Sequence, residues 1–207
     1  MLKLYGPTNR LSINTLKIRV ALHETGAAYE YIPVDLAAGQ QRNPQFLALN
    51  PHGKVPVLMD GSFVLPESDA ILWYVAESFP EAGLLGEGPR VRARTLEWCD
   101  FASAGTYPAS YDLQSHTVSL PPEKRVASVA EGARQRLIRS LKVLETVLAT
   151  RPWLVDGYSI ADIGNASVLR ILRERAPELF QPLLPALEDW YRRVSSRPAW
   201  KSVVEAK

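Results

Sequence analysis

The sequence predicts two domains of different construction: an α/β domain over residues 1–78 with the order β-α-β-α-β-β-α, and an all-α helical bundle over residues 90–207. Three observations carry that expectation. Short apolar runs of strand length alternate with helically spaced segments only before residue 79. The stretch F-P-E-A-G-L-L-G-E-G-P at 79–89 holds two prolines and three glycines, the composition of a linker. After it, every long periodic segment has helical spacing.

Each element follows from its residues. L-K-L-Y at 2–5 alternates as a strand does. Leu16, Ile18, Val20, Ala21 and Leu22 recur at helical spacing, with Gly26 as the stop. Y-E-Y-I-P-V at 29–34 is the second strand, and 44–49 forms a short helix. Strands at 57–60 and 62–65 flank Asp60-Gly61, a hairpin signal. S-D-A-I-L-W-Y-V-A-E-S-F at 68–79 closes the domain as an amphipathic helix. Helices at 90–115, 123–150, 159–175, 185–195 and 197–205 follow, and Gly105 with Pro108 predicts an interruption in the first of them. Leu137, Leu141, Leu144 and Leu148 share one face, which a helical bundle would bury.

Composition narrows the function classes. A net charge of +2 without a long Lys/Arg block gives no footprint for nucleic acid. No 18-residue apolar run exists, so no membrane span is expected. M-L-K-L-Y-G-P lacks the apolar core of a signal peptide, and a cytoplasmic location is expected. Cys99 is the single cysteine, so no intrachain disulfide can form; it is expected to be a packed thiol, with any reactive sulfur coming from a ligand. His23, His52 and His116 lack metal-ligand spacing, and no metal is expected.

Three segments carry candidate chemistry. In R-L-S-I-N-T-L-K at 10–17, Ser12 stands where a strand gives way to a helix, fit to cap that helix or to present its hydroxyl to a ligand. In N-P-H-G-K-V-P-V-L at 50–58, a proline before a strand can be cis, and the backbone of Val55 can then pair with an extended peptide. In P-E-S-D-A-I-L at 66–72, Glu67-Ser68 opens a helix, whose free N–H groups and dipole favour a carboxylate. Together these suit a short anionic peptide.

The element order, the N-P-x-G-K-V-P-x-L segment, the E-S helix start and the all-helical second half resemble the cytosolic glutathione transferases, of the bacterial, serine-type, theta-like kind. S-I-A-D at 159–162 matches a motif common in that family's second domain, here with the spacing of a capping box. The resemblance covers essentially the whole chain. It implies a thioredoxin-like first domain that binds glutathione as co-substrate, and a helical domain supplying the pocket for a small hydrophobic electrophile. It also implies a homodimer.

Carried over residue by residue, Val55 would pair with the cysteinyl backbone of glutathione, with cis-Pro56 setting its orientation. Glu67 and Ser68 would hold the γ-glutamyl end. Lys54 and Gln40 or Gln41 would face the glycine carboxylate. Ser12 would donate a hydrogen bond to the glutathione sulfur, with Asn14 and Thr15 as rivals and Tyr5 as a weaker one. Leu11, Tyr107 and Tyr111 would line the apolar pocket, the two tyrosines standing four apart on one helix face.

Serine is too weak a base to take the thiol proton, so its contribution would be donation to the thiolate. A hydrogen bond to a charged group contributes about 1.5–3 kcal/mol. At about 1.36 kcal/mol per unit, that lowers a thiol pKa by about one to two units, to near neutrality. The expected reaction is attack of the glutathione thiolate on an electrophilic carbon. Glutathione-dependent disulfide or peroxide reduction, isomerisation and a non-catalytic binding module are the alternatives. The reductase branch is disfavoured because no cysteine lies near position 12, and the isomerase branch because its S-S-C-S helix start is absent.

Overall fold

The computed structural model describes residues 1–8 and 12–205. The first unit follows the expected order: β1 (Leu2–Pro7), α1 (Ile13–Glu24), β2 (Tyr29–Val34), α2 (Pro44–Leu49), β3 (Val57–Asp60), β4 (Phe63–Pro66) and α3 (Ser68–Ser78). The strands form one mixed sheet in the order β2-β1-β3-β4. β1 runs parallel to β2 and antiparallel to β3, and β3 runs antiparallel to β4. This is the thioredoxin-like arrangement that the resemblance implied.

α1 is buried along its length, from Thr15 to Leu22 without a break, because both α3 and α9 (Pro198–Val204) pack against it. The sequence pattern places the tail in the helical domain. Its contacts lie instead with α1: the Arg197 guanidinium donates to both Glu24 carboxylate oxygens at 2.6 and 2.7 Å, and Ser202 Oγ lies 2.9 Å from His23 Nδ1. Burial, with the Arg19 cation beside it, holds the His23 imidazole below its ordinary pKa. The described residues up to Leu85 and those from Arg197 on therefore form one compact unit, and Gly86–Ser196 form the other.

The described residues of the second unit contain no strand. Its main helices are α4 (Gly88–Asp100), α5 (Tyr107–Gln114), α6 (Ala127–Leu148), α7 (Ile160–Arg175) and α8 (Pro185–Ser195). The single helix expected over 90–115 is broken by a π-helical turn at Phe101–Thr106. Pro108 has no N–H for the carbonyl one turn back, and the Tyr107 N–H reaches five residues back, to Ala102.

Leu137, Leu141, Leu144 and Leu148 are all buried, as their spacing predicts. Asp162 completes the capping box of α7 and accepts from the Leu154 and Ser159 amides and from the fully buried Trp190 indole, the last at 2.7 Å. Burial outweighs these hydrogen bonds and pushes the Asp162 carboxyl up to about 6. Cys99 is buried in α4.

Candidate active site

Strand register gathers the predicted segments at one end of the sheet. Tyr5 lies opposite Val57, and Val57 opposite Pro66, while Pro7 runs beside Val34. The end of β1, the start of β3, the end of β4 and the end of β2 therefore sit side by side. From those four places the chain runs into the segments that hold Ser12, Lys54–Pro56, Glu67–Ser68 and Gln40–Gln41.

Ser12 caps α1. Its backbone is extended (φ −64°, ψ 137°), and its Oγ accepts from the Thr15 amide at 3.2 Å. The same hydroxyl donates to Thr15 Oγ1 at 3.0 Å. Ser12 and Asn14 are half-buried, whereas Thr15 has no exposed surface. Of the three polar groups the sequence offered, Thr15 thus has no face for a ligand. Tyr5 belongs to an apolar cluster with Phe46, Val34 and Val57, its ring edge-on to Phe46 at 6.3 Å. Leu11 lies outside the described residues.

The end of β1 is held tightly beneath Ser12. Tyr31 donates its hydroxyl hydrogen to the Pro7 carbonyl at 2.7 Å. A Cβ at Gly6 would fall against that Tyr31 oxygen and 2.7 Å from Thr15 Cγ2, so only glycine fits here.

Asn50 organises the second segment, a role that sequence reasoning missed. Its carboxamide accepts from the His52 amide at 3.0 Å and donates to the Lys54 carbonyl at 2.8 Å. Asparagine before a short polar loop is the available signal, since its side chain readily bonds the backbone two residues on. Gly53, at φ 60°, brings the turn against the Gln41 carbonyl, which a Cβ there would approach to 3.1 Å. Lys54 is exposed, Val55 half-buried and Pro56 buried, and the Val55–Pro56 peptide is cis. The two glutamines differ. Gln40 accepts from the Asp35 amide at 2.8 Å, while the buried Gln41 Oε1 has no hydrogen-bond partner.

Glu67 is the one described residue other than glycine with positive φ, at 74°. It is exposed and leads into α3, whose first turn receives no hydrogen bond from an N-cap side chain. The half-buried Ser68 stands at the first helical position. Asp69 beside it binds Lys17 of α1, with Nζ 2.7 Å from Oδ1. That pair ties the helix bearing Ser12 to the helix bearing Ser68. The signal for it was a lysine inside the apolar run L-K-I-R-V-A-L, where a solvated charge is out of place.

In the second unit, Tyr107 is half-buried at the start of α5 and Tyr111, one turn on, is 63 % exposed. Among the described residues no cluster of His, Cys, Asp and Glu has the makings of a metal site, and no helix is long and apolar enough to cross a membrane.

The family model of the glutathione S-transferase N-terminal domain matches residues 2–77, and that of the C-terminal domain matches residues 112–198. Glutathione S-transferase 3 of Zea mays is 33 % identical, covering 99 % of this chain and 94 % of its own. Glutathione S-transferase GstB of Escherichia coli (strain K12) is 30 % identical over 99 % of this chain and 98 % of its own. The crystal structure of a theta class glutathione S-transferase from Xanthomonas axonopodis pv. citri, with glutathione bound, superposes with a TM-score of 0.88 at 32 % identity. It covers 100 % of this chain and 98 % of that one. Matched along nearly its full length and in both domains, the chain belongs to the glutathione S-transferase family.

Proposed function

We propose that this protein is a glutathione transferase that joins the glutathione thiolate to small hydrophobic electrophiles, working as a cytoplasmic homodimer. The observation that carries the reading is the convergence of Ser12, Val55, Glu67–Ser68 and Gln41 at one end of the sheet.

Glutathione lies extended across that end. The N–H and C=O of Val55, just outside the β3 ladder, pair with its cysteinyl backbone. Its α-carboxylate takes the Ser68 hydroxyl and the open N–H groups of α3, and its ammonium meets the exposed Glu67. The left-handed backbone of Glu67 supports a ligand role, because such a conformation costs about 1–3 kcal/mol and clusters at binding sites. Lys54 faces the glycine carboxylate, joined by the Gln41 carboxamide N–H, which otherwise reaches only the Leu36 carbonyl at a long 3.4 Å. Gln40 is committed to the Asp35 amide and plays the lesser part.

Ser12 then donates to the sulfur and favours thiolate over thiol, and Asn14 completes the rim beside it. Positioning and the raised thiolate fraction supply the rate. In the second unit, Tyr107 and Tyr111, one turn apart on α5, are the residues assigned to the electrophile.

The test is conjugation of a dinitrohalobenzene by wild type and Ser12→Ala across pH, together with calorimetric titration of glutathione. Wild type is expected to bind and conjugate. Ser12→Ala is expected to lose about ten- to a hundredfold in kcat/KM near neutral pH, the equivalent of one to two pKa units, and to regain it in alkali. Failure of wild type to bind glutathione overturns the function, and unchanged activity in Ser12→Ala removes that residue from it.

A further inference from the structure

We infer that Thr15 is a positioning residue that acts through Ser12: its buried hydroxyl feeds a hydrogen bond into the serine oxygen and so strengthens the serine O–H as a donor to the ligand sulfur. The inference rests on the reading of Ser12 given above.

Thr15 meets no ligand, being wholly buried. Both of its polar atoms at this point engage Ser12: the amide donates to Ser12 Oγ at 3.2 Å, and Thr15 Oγ1 receives the serine O–H at 3.0 Å. Its methyl is fixed as well, since Cγ2 sits where any Cβ on Gly6 would have to go. A β-branched side chain has few rotamers, and here the methyl faces Gly6 while the hydroxyl faces Ser12.

The serine proton is directed at Thr15 Oγ1. An arriving sulfur must take that donor. Rotation about two C–O bonds accomplishes the exchange with no movement of heavy atoms. Ser12 turns its O–H to the sulfur, and Thr15 turns its own O–H onto the vacated lone pair of Ser12 Oγ. The serine oxygen then accepts from the Thr15 amide and hydroxyl while donating outward. A donor that also accepts is polarised, which strengthens its own bond by about 10–30 % per link. Thr15 therefore supplies the terminal donor of a hydrogen-bond chain whose other end is the thiolate.

The experiment measures the pKa of the bound glutathione thiol from the ultraviolet absorbance of the thiolate, with saturating glutathione, in wild type, Ser12→Ala, Thr15→Val, Thr15→Ser and the Ser12→Ala/Thr15→Val double variant. Valine keeps the shape of threonine and removes the hydroxyl. Thr15→Val is expected to raise the thiol pKa by a few tenths of a unit, the stated fraction of the effect of Ser12, with glutathione affinity unchanged below the thiol pKa. Thr15→Ser is expected to return the pKa toward the wild-type value, and the double variant to match Ser12→Ala. Should Thr15→Val not fold, Thr15→Ala against Thr15→Ser makes the same comparison. A thiol pKa untouched by Thr15→Val but raised by Ser12→Ala overturns the inference and leaves the Ser12 reading standing. A shift from Thr15→Val that persists undiminished in the Ser12→Ala background also overturns it. No shift in Ser12→Ala sinks the Ser12 reading, and the inference with it.

Discussion

Lys17 and Asp69 form an ion pair whose two ends have unequal access to water: the lysine side chain is 5 % exposed and the aspartate side chain 34 %. The consequence of breaking it depends on which end is removed. Asp69→Asn strands a buried cation and is expected to cost about 3–5 kcal/mol of unfolding free energy. Lys17→Met leaves a carboxylate that water can still reach, so its cost is smaller, and the double variant recovers most of the loss. Denaturant unfolding of the three variants checks the order.

Gly6 has no room for a side chain. Gly6→Ala is expected to destabilise by about 1–3 kcal/mol, the usual cost of an overpacked methyl, and to lower activity by shifting Ser12. Of the three clashes, two are with Tyr31 and the tighter of these is with its oxygen, so Gly6→Ala/Tyr31→Phe should be more stable than Gly6→Ala alone. Thermal unfolding of both variants decides this.

Asn50 holds the shape of the loop that carries Lys54 and Val55. Asn50→Ala leaves the His52 N–H and the Lys54 carbonyl without their partner. A loss of about 1.4 kcal/mol corresponds to tenfold in affinity. Weakened glutathione binding of about that size is expected by calorimetry, with the pKa of the bound thiol unaltered.

Asp162 makes stability depend on pH in a fixed direction. Its carboxyl, raised from an ordinary 3.8 to about 6, binds its proton more tightly folded than unfolded. Stability from this group therefore grows as pH falls through about 6 toward 4 and is absent above that window. Asn at this position cannot titrate. The stability of wild type relative to Asp162→Asn is expected to rise on acidification over that range, by at most about 1.4 kcal/mol per pH unit, measured by urea unfolding at each pH.

Much of the candidate site was legible because its segments are local. N-P-H-G-K-V-P and P-E-S each fold within a few residues, and the alternation of the strands places them at a common sheet end. Long-range partners were not legible. Nothing within the run S-I-N-T says which of its polar groups turns inward, because that depends on Gly6 and Tyr31 arriving from elsewhere. Lys17 stands out inside an apolar run, but its partner Asp69 lies 52 residues away and nothing in the sequence names it. Gly105 and Pro108 did announce the break in the helix after α4, since a missing donor acts on its own neighbours.

The docking of α9 on α1 bears on how the chain is made. Arg197 and Glu24 lie 173 residues apart, and the ribosome releases Glu24 long before Arg197 exists. Domains commonly fold as they emerge, amino end first. Here the nascent first unit must hold its sheet together with one side of its central helix bare, while the whole second unit is synthesised. Only translation of α9 covers that surface. The amino-terminal unit is begun first, yet it is completed only after the whole of the second unit has been made.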